Sequence, residues 1–91
     1  MKKLQRPLNV FKKHLKTHHD LTVHNEVIFF EQEKDILVFG YFFFKENKSI
    51  YGQFNLQRKE IVYEIGDLTR DYGEGFCVYG SNNSKLEKLT Y

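Results

Sequence analysis

An unbroken apolar run of nine residues, Ile36 to Phe44 (ILVFGYFFF), limits the folds open to this 91-residue chain. A membrane-spanning helix needs roughly 20 apolar residues, so the run is too short to cross a bilayer. Its aromatic and β-branched residues favour a β-strand. Because strand side chains point alternately to the two faces of a sheet, a strand that is apolar throughout needs cover on both sides.

The chain from Thr22 onward consists of short aromatic and β-branched runs divided by charged segments such as QEK, ENK and QRK. Connections this short join antiparallel neighbours, because a parallel crossover needs a dozen or more residues. We therefore expect a curved antiparallel meander of four to six strands over residues 22–91.

A loop at KENKS, residues 45–49, predicts the register of the central hairpin. Phe42 then faces Gly52 and Gly40 faces Phe54, so that a phenylalanine covers each glycine. In this register one sheet face, which we expect the helix to cover, holds Val38, Phe42, Phe44, Ile50, Phe54, Leu56, Ile61, Tyr63 and Ile65. The second face holds Leu37, Phe39, Tyr41, Phe43 and Tyr51.

Apolar residues also recur at helical spacing near the N-terminus, at Leu4, Leu8, Phe11 and Leu15. Pro7 suits the first turn of a helix, where its missing N–H costs nothing. We predict a helix over about residues 7–19 whose apolar stripe packs on the sheet. The expected fold is α+β, with residues 1–91 as a single domain.

The last quarter of the chain allows two interpretations. SNNS, residues 81–84, suits the turn of a final hairpin, whereas Ser84 with Glu87 has the form of a capping box for a short helix. We favour the hairpin. Asp67 and Asp71 are expected in a loop after a strand, and YGEG, residues 72–75, reads as a turn.

Composition indicates the cellular compartment of the protein and the kind of genome that encodes it. The single cysteine, Cys77, excludes an internal disulfide and fits a reducing compartment, so we expect a cytoplasmic protein. The Lys-rich start lacks the apolar segment of a signal peptide, and we expect no membrane association. The absence of alanine and the excess of Lys over Arg, 11 to 3, indicate AT-rich coding DNA, as in a low-GC bacterium, its phages or its plasmids.

Histidines in and near the predicted helix are the candidates for metal binding or catalysis. His14 and His18 are four residues apart and project from one side of a helix, with Asp20 or His24 as a possible third metal ligand. The same pair, beside lysines, has the ingredients of a small His-dependent nuclease. No established metal or catalytic motif is present, so we predict no metal site, no cofactor and no catalytic residue.

The sequence favours a small non-enzymatic binding protein, of an inhibitor or immunity type, that engages a protein partner or a second copy of itself. Its predicted binding residues lie on the second aromatic sheet face: Phe39, Tyr41, Phe43 and Tyr51. Residues 1–19 carry a charge of +6 against −4 for the remainder. The alternative is therefore nucleic-acid binding through the basic helix, at Lys12, Lys13 and Lys16.

Overall fold

The computed structural model describes residues 2–23 and 28–91, which form one helix and five strands. The elements are α1 (Lys2–His19), β1 (Ile28–Glu33), β2 (Ile36–Phe43), β3 (Lys48–Asn55), β4 (Glu60–Gly73) and β5 (Phe76–Thr90). The strands form one sheet in the order β1-β2-β3-β4-β5, and every neighbouring pair is antiparallel. The predicted α+β class, N-terminal helix and antiparallel meander are confirmed.

The helix begins more than one turn before Pro7, so the predicted start was wrong and the proline lies inside the helix. There it removes one helical hydrogen bond, because proline has no N–H. The predicted end at His19 is confirmed. Asp20 adopts a left-handed conformation with φ 55°, and the amide of Leu21 donates to the carbonyl of Leu15 at 3.2 Å.

Phe11 joins the helix to the sheet. Its ring centroid lies 5.1 Å from that of Phe39, 5.6 Å from Phe54 and 5.0 Å from Tyr63, all in edge-to-face arrangements. Among the residues whose burial the structure describes, eleven form this core: Phe11, Leu15, Leu21, Leu37, Phe39, Phe43, Ile50, Phe54, Ile61, Tyr63 and Ile65. The face that α1 covers is called the helix face below, and the opposite face is called the open face.

The predicted register of the β2–β3 hairpin is wrong by three residues. Phe54 pairs with Leu37 rather than with Gly40, because the loop comprises residues 44–47 instead of 45–49. Asn47 ends this loop with a φ of 59°. Glycine usually marks such a left-handed position, and its absence left the sequence without a signal for where the loop ends.

Since three is an odd number, the shift turns β2 over relative to β3. The predicted helix-face positions on β3 and β4 are confirmed, but those on β2 were wrong. Phe39 and Phe43 are buried in the core, at 0% and 3% exposure, and Tyr41 packs against it. Their assignment to the second face is therefore overturned. Tyr51 lies on the open face and is 56% exposed.

β4 and β5 form a long hairpin that turns at Glu74 and Gly75, both with positive φ. The predicted turn in YGEG is confirmed. The predicted SNNS turn and the capping-box helix are both wrong, because residues 76–90 are continuous strand. Asp67 and Asp71 lie within β4 rather than in a loop.

SNNS forms a β-bulge instead of a turn. Ile65 pairs with Lys85 and Asp67 with Asn82, so residues 83 and 84 lie opposite the single residue Gly66. A Cβ at Gly66 would lie 2.5 Å from Ser81 Oγ and 2.9 Å from Ser84 Cα. The bulge therefore requires glycine at this position.

Candidate functional site

Four polar side chains converge where the end of α1 meets β4 and β5: His14, His19, Tyr63 and Glu87. Tyr63 and Glu87 are partners across the β4–β5 ladder, and both project from the helix face. His14 lies one helical turn beyond the buried Phe11, which directs its ring toward the same part of the sheet. The helix thus brings two imidazoles to a carboxylate that is 68 residues away from His19 in sequence.

Glu87 is the centre of this cluster. Its Oε2 accepts a hydrogen bond from the Tyr63 hydroxyl at 2.8 Å. His19 Nε2 lies 3.0 Å from Glu87 Oε1 and 3.1 Å from Oε2. His14 Nε2 is 3.8 Å from Oε2, and the Tyr63 hydroxyl is 3.4 Å from His19 Nε2. The side chains of His14, His19 and Glu87 are 19%, 23% and 30% exposed, so the cluster is partly open to solvent.

The surroundings of His14, Glu87 and Tyr63 shift their pKa values in different directions. Partial burial lowers the pKa of His14, and the neighbouring His18 adds to this effect. Burial alone would raise the pKa of Glu87, but hydrogen bonds from Tyr63 and His19, together with the charge interactions of His19 and His14, outweigh it and hold that pKa below its usual value. Burial and the hydrogen bond to Glu87 raise the pKa of Tyr63 far above the usual range. At neutral pH Glu87 is therefore anionic and Tyr63 is a hydrogen-bond donor.

This arrangement differs from the histidine pair considered from sequence. The rings of His14 and His18 do lie close, with centroids 4.2 Å apart, but His18 is exposed and has no ligand atom in the cluster. His24 lies outside the described residues, and Asp20 pairs with Lys16 at 2.9 Å. Sequence reasoning missed Glu87, because no local pattern links a strand glutamate to a helix so distant in the chain.

A cleft of about 480 Å³ opens beside the cluster. His19 and Glu87 form part of its wall, and most of its other lining side chains are polar or charged: Asp20, Glu46, Lys48, Asn83 and Lys85. Lys48 is held by Asp67, with Nζ 2.6 Å from Oδ1. The cleft gives small polar molecules and ions access to the imidazole and carboxylate groups.

A second concavity, which we call the groove, lies on the open face and has a volume of about 400 Å³. Its lining is mainly apolar: Gly40, Phe42, Ser49, Ile50, Tyr51, Glu64, Tyr79, Gly80 and Ser81. Beside it, Leu86 is 70% exposed. Leu86 and Tyr51 flank Glu64 in one row across the sheet.

One end of the groove is bounded by an aromatic cluster formed by Phe42, Phe44 and Tyr79. The ring of Tyr79 lies 5.2 Å from Phe42 and 5.5 Å from Phe44, between centroids. The Arg70 guanidinium lies 5.3 Å from the centre of the Phe44 ring, within the range of a cation–π contact. These contacts tie the distal part of the β4–β5 hairpin to the end of β2.

The remaining residues that the sequence predicted for binding do not come together in one site. Lys12, Lys13 and Lys16 lie on the helix surface; Lys13 and Lys16 are exposed, and Lys16 is paired with Asp20. A nucleic-acid role for these lysines stays a prediction, as does nuclease activity of the histidines. Of the four predicted partner-binding residues, Tyr51 lines the groove, whereas Phe39 and Phe43 are in the core.

No family model, curated protein or solved structure matches this chain. Within residues 2–23 and 28–91, no helix is long and apolar enough to cross a membrane. Function must therefore be inferred from the site geometry.

Proposed function

We propose that the chain is a non-enzymatic binding protein that engages a protein partner through the groove and its aromatic margin. The observation that carries this proposal is an apolar concavity on the sheet face that α1 leaves uncovered, bordered by the exposed side chains of Tyr51 and Leu86. Aromatic residues concentrate binding energy at protein interfaces. Contiguous exposed apolar surface is typical of interaction sites.

The groove also indicates what the partner presents. Its volume of about 400 Å³ lies near the lower end of the roughly 300–1,000 Å³ of ligand pockets, which suits one or two apolar side chains rather than a large cofactor. Glu64 is exposed at its margin and carries a negative charge. We expect the partner to insert an apolar or aromatic side chain and to place a cation near Glu64.

An inhibitor that blocks a partner's surface is the form of binding protein that we favour. Such a protein needs one well-formed contact surface and no reaction centre. The immunity-type role and the cytoplasmic location inferred from composition belong to this proposal.

Photo-crosslinking in cells tests the groove directly. A photo-reactive phenylalanine analogue is placed at position 51, within the groove, and in a matched variant at position 57. Gln57 is exposed in the loop at the far end of β3, so it reports on random encounters. We expect a discrete crosslinked product from position 51 only, and we expect Tyr79→Ser to weaken it.

The mass of the product identifies the partner class. A product of twice the chain's mass shows that a second copy occupies the groove, and light scattering over a hundredfold concentration range must then show a dimer. Equal products from positions 51 and 57, or none from either, would overturn the proposal.

A further inference from the structure

We propose that His14, His19 and Glu87 form a binding site for a divalent transition-metal ion of the Zn²⁺ type. The Nε2 or Nδ1 atoms of the two imidazoles and a carboxylate oxygen of Glu87 lie within 4.8 Å of one another. Two imidazoles and one carboxylate suit Zn²⁺ and its first-row neighbours. Mg²⁺ and Ca²⁺ prefer sites built from oxygen atoms alone.

The spacing of the donor atoms fits tetrahedral coordination. With metal–ligand bonds of about 2.0–2.1 Å, neighbouring ligands of a tetrahedral ion are roughly 3.4 Å apart. The distance from Glu87 to His19 is 3.0 Å and that from Glu87 to His14 is 3.8 Å, on either side of this value. The donor atoms of His14 and His19 also lie within 4.8 Å of each other, so we expect side-chain rotation to bring all three donors to one ion.

Tyr63 supplies the outer contact that metal sites use to orient a ligand. Its hydroxyl donates to Glu87 Oε2 at 2.8 Å, and its ring is fully buried in the core. The carboxylate is thereby held in place before any ion binds. Tyr63 is a positioning residue in this site, since it acts on the ion through Glu87.

Three protein ligands leave a coordination position for water or an added ligand. The adjoining cleft of about 480 Å³, which has His19 and Glu87 in its wall, gives an ion its route of entry. An ion held here joins the last turn of α1 to β5. It therefore stabilises the docking of the helix on the sheet.

His18 provides a matched control. It lies on the same helix and is exposed, and its ring centroid is 4.2 Å from that of His14, yet it is outside the group of three ligands. Loss of His18 removes one imidazole from the same surface and leaves the proposed donor set intact. The His18 variant therefore distinguishes a specific metal site from nonspecific binding of metal ions to surface histidines.

Isothermal titration calorimetry of the chelator-treated protein with ZnCl₂ is the test, with MgCl₂ as a second titrant. We expect one Zn²⁺ per chain and no binding of Mg²⁺. His14→Gln, His19→Gln and Glu87→Gln should each weaken binding by more than the roughly tenfold that loss of an outer contact costs. His18→Gln should bind Zn²⁺ as the unaltered chain does.

If the cluster serves only to hydrogen-bond the helix to the sheet, the titration will show no heat of Zn²⁺ binding. That result would overturn the proposal. An equal loss in His18→Gln and His19→Gln also overturns it, because it would show scattered histidine binding. Circular dichroism establishes that each variant folds. If Glu87→Gln does not, Tyr63→Phe replaces it, since this change keeps the buried ring and should lower Zn²⁺ affinity about tenfold.

Discussion

Gly52 lies directly opposite Tyr63 across the β3–β4 ladder, and a Cβ added at Gly52 would lie 2.5 Å from Tyr63 Cβ. On its other side Gly52 is paired with Phe39, so the glycine separates two large rings in one row. The Phe11 ring contacts both of them. The prediction that Phe42 covers this glycine was wrong, and its cross-strand neighbours are Phe39 and Tyr63 instead.

Gly52→Ala is expected to lower the free energy of unfolding by about 3 kcal/mol or more, because neither the Tyr63 backbone nor the Val62 carbonyl can move aside cheaply. Urea denaturation measures the change. Gly73→Ala is the control, since a Cβ there meets nothing within 4 Å, and its effect should stay within about 0.5 kcal/mol. Equal effects of the two changes would contradict the packing described for Gly52.

Tyr63→Phe removes the hydroxyl that donates to Glu87 and preserves the ring in the core. We expect a loss of about 1.5–3 kcal/mol in the free energy of unfolding of the metal-free protein, the cost of one hydrogen bond to a charged acceptor. The pKa of Glu87, followed by NMR, should rise because its anionic form loses a donor. An unchanged pKa would show that this hydrogen bond does not form in solution.

Asp67 makes stability depend on pH. Its hydrogen bond from Lys48, with a second from Asn83, lowers its pKa below the ordinary 3.8. The stabilisation is therefore fully present above about pH 3.8 and is lost as the pH falls through the lowered folded-state pKa. Asp67→Asn should destabilise the protein at neutral pH, and the difference from the unaltered chain should shrink in acid. A difference that stays constant with pH would exclude this ion pair as its source.

The hydroxyl of Ser49 is buried, and among the described residues it has no hydrogen-bond partner. A buried hydroxyl without a partner carries an uncompensated desolvation cost. Ser49→Ala is therefore expected to leave the free energy of unfolding unchanged or to raise it by about 1 kcal/mol, as judged by thermal and urea denaturation. A clear loss of stability would mean that the hydroxyl is hydrogen-bonded in solution.

Local patterns in the sequence were sufficient to predict α1 and the strands up to the start of β4, but not the length of the β4–β5 hairpin. Apolar residues at helical spacing predicted α1, and Phe11 and Leu15 are indeed fully buried. Short charged connections predicted antiparallel neighbours, since a chain that turns within a few residues pairs with the strand it has just left. These features depend on contacts between residues that are close in sequence.

The register, the open face and the histidine cluster depend on distant residues. The four-residue loop that ends at Asn47 sets which side of β2 meets the helix, and an error of three residues inverted that assignment. His19 and Glu87 meet only because α1 packs across β4 and β5. The sequence by itself determined the helix, the strands up to the start of β4 and their antiparallel order, because local periodicity and chain reach specify them. Tertiary structure decided which faces are buried and which polar groups converge, because packing between distant segments selects one register.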